Sequence, residues 1–173
     1  EGDSRVEECD CVLVAVGRRP CHQGSGIETL GVAFDGRGYV IVDGDFRTNV
    51  PGLYAIGDLI PGPMLAHKAT HDARRAVRSL LGQGTAMPGD ALVPAVVFTD
   101  PEIAWCGLTE EEAKRQSQPV AVSRFPWAAS GKATTADRNE GITKLIVDPD
   151  SERILGVGIV GVSAGDLISE GVL

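Results

Sequence analysis

Residues 54–70, YAIGDLIPGPMLAHKAT, contain four local signals in an order that few folds accommodate. An apolar strand signal ends at Gly57 and Asp58, two prolines then make a bend, and a helix begins. Gly57 lets a ligand approach the backbone, and the Asp58 carboxylate can accept hydrogen bonds from sugar-like hydroxyls. The run predicts a ligand site between a strand end and a helix start. The alternative is an Asx-type turn before an ordinary helix.

The bend is expected to aim three backbone N–H groups of the helix at the same region. These groups belong to Leu65, Ala66 and His67. Amides of a first helical turn have no acceptor within the helix, and the helix dipole adds partial positive charge there. This end of the helix should therefore stabilise negative charge on a ligand.

Apolar residues recur every three or four positions from Met64 to Leu81, which predicts one helix with a single buried stripe. The stripe consists of Ala66, Ala69, Ala73, Val77 and Leu80. The residues predicted to face solvent are Lys68, Asp72, Arg74, Arg75 and Arg78. His67 and His71 have a spacing that two metal ligands can use, but no third ligand lies nearby in sequence, so we predict no metal site.

The segment CDCVLVAVGRRP near the start of the chain predicts a buried strand at Val12–Val16 that ends at a second site. Such a strand needs a neighbouring strand that this sequence does not supply. Gly17 permits close backbone approach, and Arg18 can meet a phosphate or carboxylate. A surface turn with two solvated arginines explains the same residues equally well.

A linker, GQGTAMPGD, predicts a domain boundary near Pro88. Beyond it, tight turns separate short strand signals, which favours an antiparallel sheet with helices on one side. The predicted strands are Ala95–Thr99, Ile103–Cys106, Val120–Phe125, Ile142–Val147 and Arg153–Val162. Thr109 and Glu112 form a capping box for one helix, and a second helix starts at Ser163.

Gly156, Gly158 and Gly161 spell GxGxxG, the pattern of a dinucleotide-binding loop. That loop must open a helix, whereas β-branched residues continue a strand through these glycines. We therefore interpret them as positions of close packing within a sheet.

Composition excludes some classes of function. The formal net charge of −8 disfavours nucleic acid as a partner. No apolar stretch approaches the roughly 20 residues of a membrane helix, so we expect no membrane association and a cytoplasmic protein.

Cys9, Cys11, Cys21 and Cys106 fit neither a CxxC pair nor a zinc framework, which predicts reduced, buried structural thiols. A first residue other than Met and an uncapped final helix suggest a fragment.

Three segments together resemble the pyridine nucleotide-disulfide oxidoreductase family, in its order and with similar separations. They are AVGRRP at 15–20, TNVPGLYAIGD at 48–58 and VVFTDPEIAWCGLTEEEA at 96–113. Within the family, PMLAHKA at 63–69 and FPWAASGKA at 125–133 are similar to the dihydrolipoamide dehydrogenases rather than to glutathione or mercuric reductases. The resemblance covers nearly the whole chain and places it in the C-terminal half of such an enzyme.

The resemblance implies an α/β fold with an α+β second domain. Residues 1–18 would end an NAD-binding domain, 19–88 would complete an FAD-binding domain, and 89–173 would form an incomplete antiparallel-sheet dimerisation (interface) domain. It also implies FAD and NAD as cofactors, a homodimer, and the lipoyl domain of a 2-oxoacid dehydrogenase complex as partner. The alternatives are a flavin disulfide reductase with another substrate and a non-catalytic dimerisation module.

The resemblance also assigns roles to residues of the two candidate sites. Asp58 would bind the ribityl chain of FAD, with Gly57 beside it in the cofactor site, and the backbone of Leu65, Ala66 and His67 would meet the pyrimidine edge of its isoalloxazine ring. The residues that would border the NAD site are Ala15, Val16, Gly17 and Arg18. The redox cysteine pair of the family would precede Glu1 and its His-Glu pair would follow Leu173. The segment would therefore carry no catalytic residue, and alone it would be inactive.

Overall fold

A computed structural model describes residues 5–85 and 92–173 of the chain. The first part has one long helix, α1 (Ala66–Leu80), preceded by short 3₁₀ turns at Ile27–Leu30 and Gly57–Leu59. The second part alternates strands and short helices: β1 (Ala95–Val97), β2 (Glu102–Gly107), α2 (Glu110–Arg115), β3 (Ala121–Pro126), α3 (Gly131–Thr135), β4 (Ile142–Val147), β5 (Ile154–Gly161) and α4 (Ala164–Val172). The boundary predicted near Pro88 lies outside the described residues.

The first part has its own apolar core under two short antiparallel contacts. Phe34 pairs with Val40 and Arg47 pairs with Tyr54, each through a single antiparallel bridge. Hydrogen bonds from the backbone amides of Tyr39 and Arg37 hold the pKa of the Asp35 carboxyl below its usual value and close the turn. The core residues are Val32, Val40, Phe46, Ala55, Ile60 and Ala76.

The strand predicted at Val12–Val16 is wrong for the described structure. These residues form no strand, and Leu13 is 91% exposed. A strand must pair its backbone N–H and C=O groups with another strand. The described residues provide no such neighbour, so Val12–Val16 remain exposed to solvent.

The predicted buried face of α1 is also wrong, although the helix itself is confirmed. Its buried residues are Lys68, Asp72, Ala76 and Ser79, whereas Val77 and Leu80 are exposed. The helix packs on the 3₁₀ turn Gly57–Leu59 through this partly charged face. Burial of the two charged side chains is tolerated because they pair with each other and with backbone groups.

The second part is a five-stranded sheet in the order β1-β2-β5-β4-β3, with every neighbouring pair antiparallel. This confirms the predicted antiparallel sheet, and β4 spans the predicted residues. Helix α4 packs on β2 and β5. The core between them consists of Ala104, Cys106, Val157, Ile159, Ala164 and Ile168.

The predicted capping box of α2 is confirmed. The Glu112 amide donates to Thr109 Oγ1 at 3.1 Å, and the Thr109 amide donates to Glu112 Oε2 at 3.2 Å. The Thr109 hydroxyl donates to Glu112 Oε2 at 2.9 Å, and together with the Thr109 amide it holds the pKa of the Glu112 carboxyl below its usual value. Two amides at the helix start thereby gain acceptors, which fixes where α2 begins.

The GxGxxG glycines lie within β5 and its last residue, which confirms that they do not open a helix. A Cβ on Gly156 would lie 2.0 Å from the Leu108 carbonyl oxygen, and a Cβ on Gly161 would lie 2.2 Å from the Trp127 ring. A Cβ on Gly158 would meet no heavy atom within 4 Å in the part of the chain that the structure describes. Close packing therefore explains two of the three glycines.

All four cysteines are free thiols, but only Cys106 is buried. Its burial raises the pKa of the thiol, which favours the protonated form. The prediction of buried structural thiols is wrong for Cys9, Cys11 and Cys21, since the segments that carry them lie at the surface. Within residues 5–85 and 92–173, none of the helices is long and apolar enough to cross a membrane.

Gly156→Ala should lower the free energy of unfolding by about 1–3 kcal/mol, because the added methyl overlaps the backbone of Leu108. Gly158→Ala, two residues along the same strand, should change it by less than about 0.5 kcal/mol. Urea denaturation followed by circular dichroism measures both. Equal effects of the two substitutions would contradict this account of the glycines.

Candidate functional site

Gly57 is the point where the turn before α1 meets the helix. Its φ of +67° is a left-handed conformation that favours glycine. A Cβ at this position would lie 2.9 Å from the Ala69 Cβ, so the turn and helix approach too closely for a side chain. The close approach fixes the position of Asp58, the next residue, relative to the helix start.

A buried ion pair on α1 holds both backbone groups of Gly57. Lys68 Nζ lies 2.8 Å from Asp72 Oδ2, with side chains only 9% and 7% exposed. Lys68 Nζ also donates to the Gly57 carbonyl at 3.1 Å, and the Gly57 amide donates to Asp72 Oδ2 at 3.0 Å. The three hydrogen bonds form a closed ring, which we call the Gly57 clamp.

Arg18 joins the two halves of the predicted site. Its Nη2 donates to Asp58 Oδ2 at 2.7 Å, and its Nη1 donates to the Met64 carbonyl at 2.9 Å. Because one guanidinium group reaches both acceptors, the Asp58 carboxylate and the chain entering α1 lie on the same side of the molecule. Asp58 remains 40% exposed beside this contact.

The amino end of α1 differs in one respect from the prediction. The Leu65 amide donates to the Pro63 carbonyl at 3.0 Å, so the expectation of a free amide at Leu65 is wrong. The tight turn after Pro63 uses this donor locally. Ala66 and His67 occupy the first two helical positions, where amides have no intrahelical acceptor, and Leu65 supplies no side-chain cap.

A cavity of about 370 Å³ lies next to this helix end, between the first and second parts of the chain. Its volume falls within the range of small-molecule sites, roughly 300–1,000 Å³. At its rim, the His67 ring contacts the Pro94 carbonyl. The lining residues are Met64, Leu65, Ala66, His67, Val96, Phe98, Glu102, Gly165 and Asp166.

The remaining predicted residues are less closely assembled. Ala15, Val16 and Gly17 are exposed, whereas Arg18 donates hydrogen bonds to Asp58 and Met64. No group of three or more His, Cys, Asp or Glu side chains in the described ranges is arranged to hold a metal ion.

Sequence reasoning missed Lys68 and Asp72 as parts of the site, because charged residues usually face solvent. Their opposite charges four residues apart were the available signal, since such residues are neighbours on a helix. That spacing alone could not reveal that Gly57 completes the ring.

Lys68→Met should lower the free energy of unfolding by about 3–5 kcal/mol, because it leaves the buried Asp72 carboxylate without its cation. Arg18→Met removes an ion pair of similar length at the surface and should cost no more than about 1 kcal/mol. Chemical denaturation of both variants tests this difference. A cost for Lys68→Met as small as that for Arg18→Met would contradict a buried pair.

Comparison with known proteins agrees with this architecture. Residues 1–73 match the family model "Pyridine nucleotide-disulphide oxidoreductase", and residues 93–173 match "Pyridine nucleotide-disulphide oxidoreductase, dimerisation domain". Dihydrolipoamide dehydrogenase from Chaetomium thermophilum is 42% identical over 99% of this chain. Dihydrolipoyl dehydrogenase from Haemophilus influenzae is 45% identical over 93% of it. The chain spans 34% of the length of each relative.

Solved structures give the same mixed α/β architecture. The HOCl-induced flavoprotein disulfide reductase RclA from Escherichia coli superposes with a TM-score of 0.84 at 30% identity, over 94% of this chain and 38% of that one. The LpdA crystal structure from Mycobacterium tuberculosis superposes with a TM-score of 0.79 at 28% identity, over 89% of this chain and 34% of that one.

Proposed function

The chain belongs to the pyridine nucleotide-disulphide oxidoreductase family, and we propose that it is part of an FAD-dependent dihydrolipoamide dehydrogenase that reduces NAD. The relatives named dihydrolipoamide or dihydrolipoyl dehydrogenase support this choice within the family. The observation that carries the proposal is the position of Asp58 beside the amino end of α1, where Arg18 hydrogen-bonds to both segments.

The residues at this position fit FAD. Asp58 is a partly exposed carboxylate, and its two oxygens can accept from a ribityl hydroxyl while Arg18 stays bound. Ala66 and His67 offer uncapped helix amides to the polar edge of an isoalloxazine ring. The adjoining cavity is lined by Phe98 and aliphatic side chains together with Glu102 and Asp166, and its apolar walls suit an aromatic ring system.

FAD, when bound, supplies the two-electron chemistry between a disulfide and NAD. Asp58 holds and orients the sugar-like chain, and Gly57 keeps the backbone close to it. The amino end of α1 favours negative charge on the bound ring by about 0.3–1 kcal/mol. Since about 1.4 kcal/mol equals 30 mV for a two-electron couple, this chain can tune the reduction potential by up to roughly 20 mV.

We assign Ala15, Val16, Gly17 and Arg18 to the border of the NAD site. Arg18 supports this because its hydrogen bond to Asp58 puts the end of that segment beside the proposed FAD site. Residues 1–18 would then close the NAD domain, and 19–88 would belong to the FAD domain. Residues 89–173 would form the interface domain.

The proposed partners are a second copy of the chain and a lipoyl domain that delivers dihydrolipoamide. The match of residues 93–173 to a dimerisation domain supports the homodimer. The four cysteines of this chain are unpaired, so the redox disulfide is assigned to another part of the protein. The likeness to RclA favours one alternative, a flavin disulfide reductase with a different substrate. Turnover with dihydrolipoamide separates the two functions.

Asp58→Ala in the full-length gene product should lower the FAD content after purification at least severalfold, because the ribityl chain loses its acceptor. Asp45→Ala is a matched control, since Asp45 is 38% exposed and pairs with Arg47 at 2.9 Å but is not one of the proposed FAD-binding residues. Flavin absorbance per protein measures both variants. Unchanged flavin content in the Asp58 variant would contradict the assignment.

The isolated 173-residue chain should not retain FAD, since residues 19–88 would supply only part of the FAD domain. It should not form NADH from dihydrolipoamide, since the proposed catalytic residues lie outside it. Flavin absorbance after incubation with FAD, and NADH absorbance with dihydrolipoamide and NAD, measure the two properties. Measurable lipoamide-dependent NADH formation by this chain would overturn the assignment of catalysis to other segments.

A further inference from the structure

We propose that the buried Lys68–Asp72 pair is a positioning device: by fixing both backbone groups of Gly57, it aims the Asp58 carboxylate at the proposed FAD site. The inference rests on the proposed function and adds to it two residues that would not themselves touch FAD. Their role would be to set the geometry of the residue that does.

The Gly57 clamp leaves this residue no free polar backbone group, and the Ile60 amide adds a longer hydrogen bond to the Gly57 carbonyl at 3.3 Å. Its amide is held by Asp72 at 3.0 Å and its carbonyl by Lys68 at 3.1 Å. Glycine has the widest conformational freedom of any residue. Without these hydrogen bonds, Gly57 would therefore let the Asp58 carboxylate adopt several orientations. Rotation of either peptide would break a charge-assisted hydrogen bond inside the protein.

Lys68 also supports the proline-rich bend. A Cβ on Gly62 would lie 3.1 Å from Lys68 Cε and 3.3 Å from its Nζ. The lysine therefore packs against the bend while its ammonium group holds Gly57. Since Lys68 is the third residue of α1, the same side chain connects Gly57, the bend and the first turn of the helix.

The net contribution of a buried ion pair to the free energy of unfolding is small. Desolvation of two charges offsets much of their attraction, so an apolar pair of similar size often gives equal stability. Stability alone therefore does not account for this pair. An apolar pair could neither accept a hydrogen bond from the Gly57 amide nor donate one to its carbonyl. The Lys68–Asp72 pair does both.

The test uses two double variants of the full-length gene product. Lys68→Met with Asp72→Leu removes the clamp without leaving a buried unpaired charge. Lys68→Gln with Asp72→Asn removes the charges but keeps a donor and an acceptor. Ala76→Gly is the control, because Ala76 is buried on the same face of α1 and its change weakens the helix without touching Gly57.

The FAD dissociation constant and the unfolding temperature are measured on the apoprotein of each variant. The Met/Leu variant should bind FAD at least tenfold more weakly than the Ala76→Gly variant at a similar unfolding temperature. The Gln/Asn variant should recover binding to within about threefold of the natural sequence. A Met/Leu variant that binds FAD within twofold of the Ala76→Gly control would overturn the proposal.

Asp58→Ala in the same assay separates failure of this inference from failure of the proposed function. Unchanged FAD affinity in that variant contradicts the FAD site itself. Weakened affinity in that variant, together with control-like affinity in the Met/Leu variant, contradicts the positioning role alone.

Discussion

The contact between the turn at Gly57 and the side of α1 is the constraint on which the candidate site depends. The glycine brings the turn within van der Waals distance of Ala69, and the Lys68–Asp72 pair satisfies the backbone groups that this approach buries. Without the glycine the turn could not pack so closely, and without the pair its amide would lose its acceptor while its carbonyl would keep only the Ile60 amide at 3.3 Å. The positions of Asp58 and of the helix start follow from this one contact.

The second part of the chain is held by a different kind of interaction. Its antiparallel sheet places small residues where other backbone and ring atoms come close, as at Gly156 beside Leu108 and at Gly161 beside Trp127. Helix α4 covers β2 and β5, and the cavity beside α1 is lined by residues of β1, β2 and α4. The sheet thus supplies one wall of the space next to the proposed cofactor-binding helix.

Much of this fold was predictable because its local signals act over a few residues. The Thr109–Glu112 capping box and the strand at Ile142–Val147 depend on neighbours in sequence, and both agree with the structure. The buried face of α1 was not predictable from periodicity, because Lys68 and Asp72 become buried only through partners on a distant turn. Val12–Val16 failed as a strand because strand formation needs a second strand.

The site shows the same division between local and distant effects. The order of Gly57, Asp58 and a helix start can be read from the sequence, whereas the hydrogen bonds of Arg18 to Asp58 and Met64 join residues 40 and 46 positions apart. The prediction of a free Leu65 amide is wrong because the turn after Pro63 gives this amide a local acceptor. Hydrogen-bond partners of individual backbone groups therefore required coordinates.

The most direct measurement is a crystal structure of the full-length gene product with FAD bound. Our account predicts that the Asp58 carboxylate accepts a hydrogen bond from the ribityl chain while the Ala66 and His67 amides face the isoalloxazine ring of the same molecule. A flavin that contacts only one of these two groups, or binds elsewhere, would contradict it.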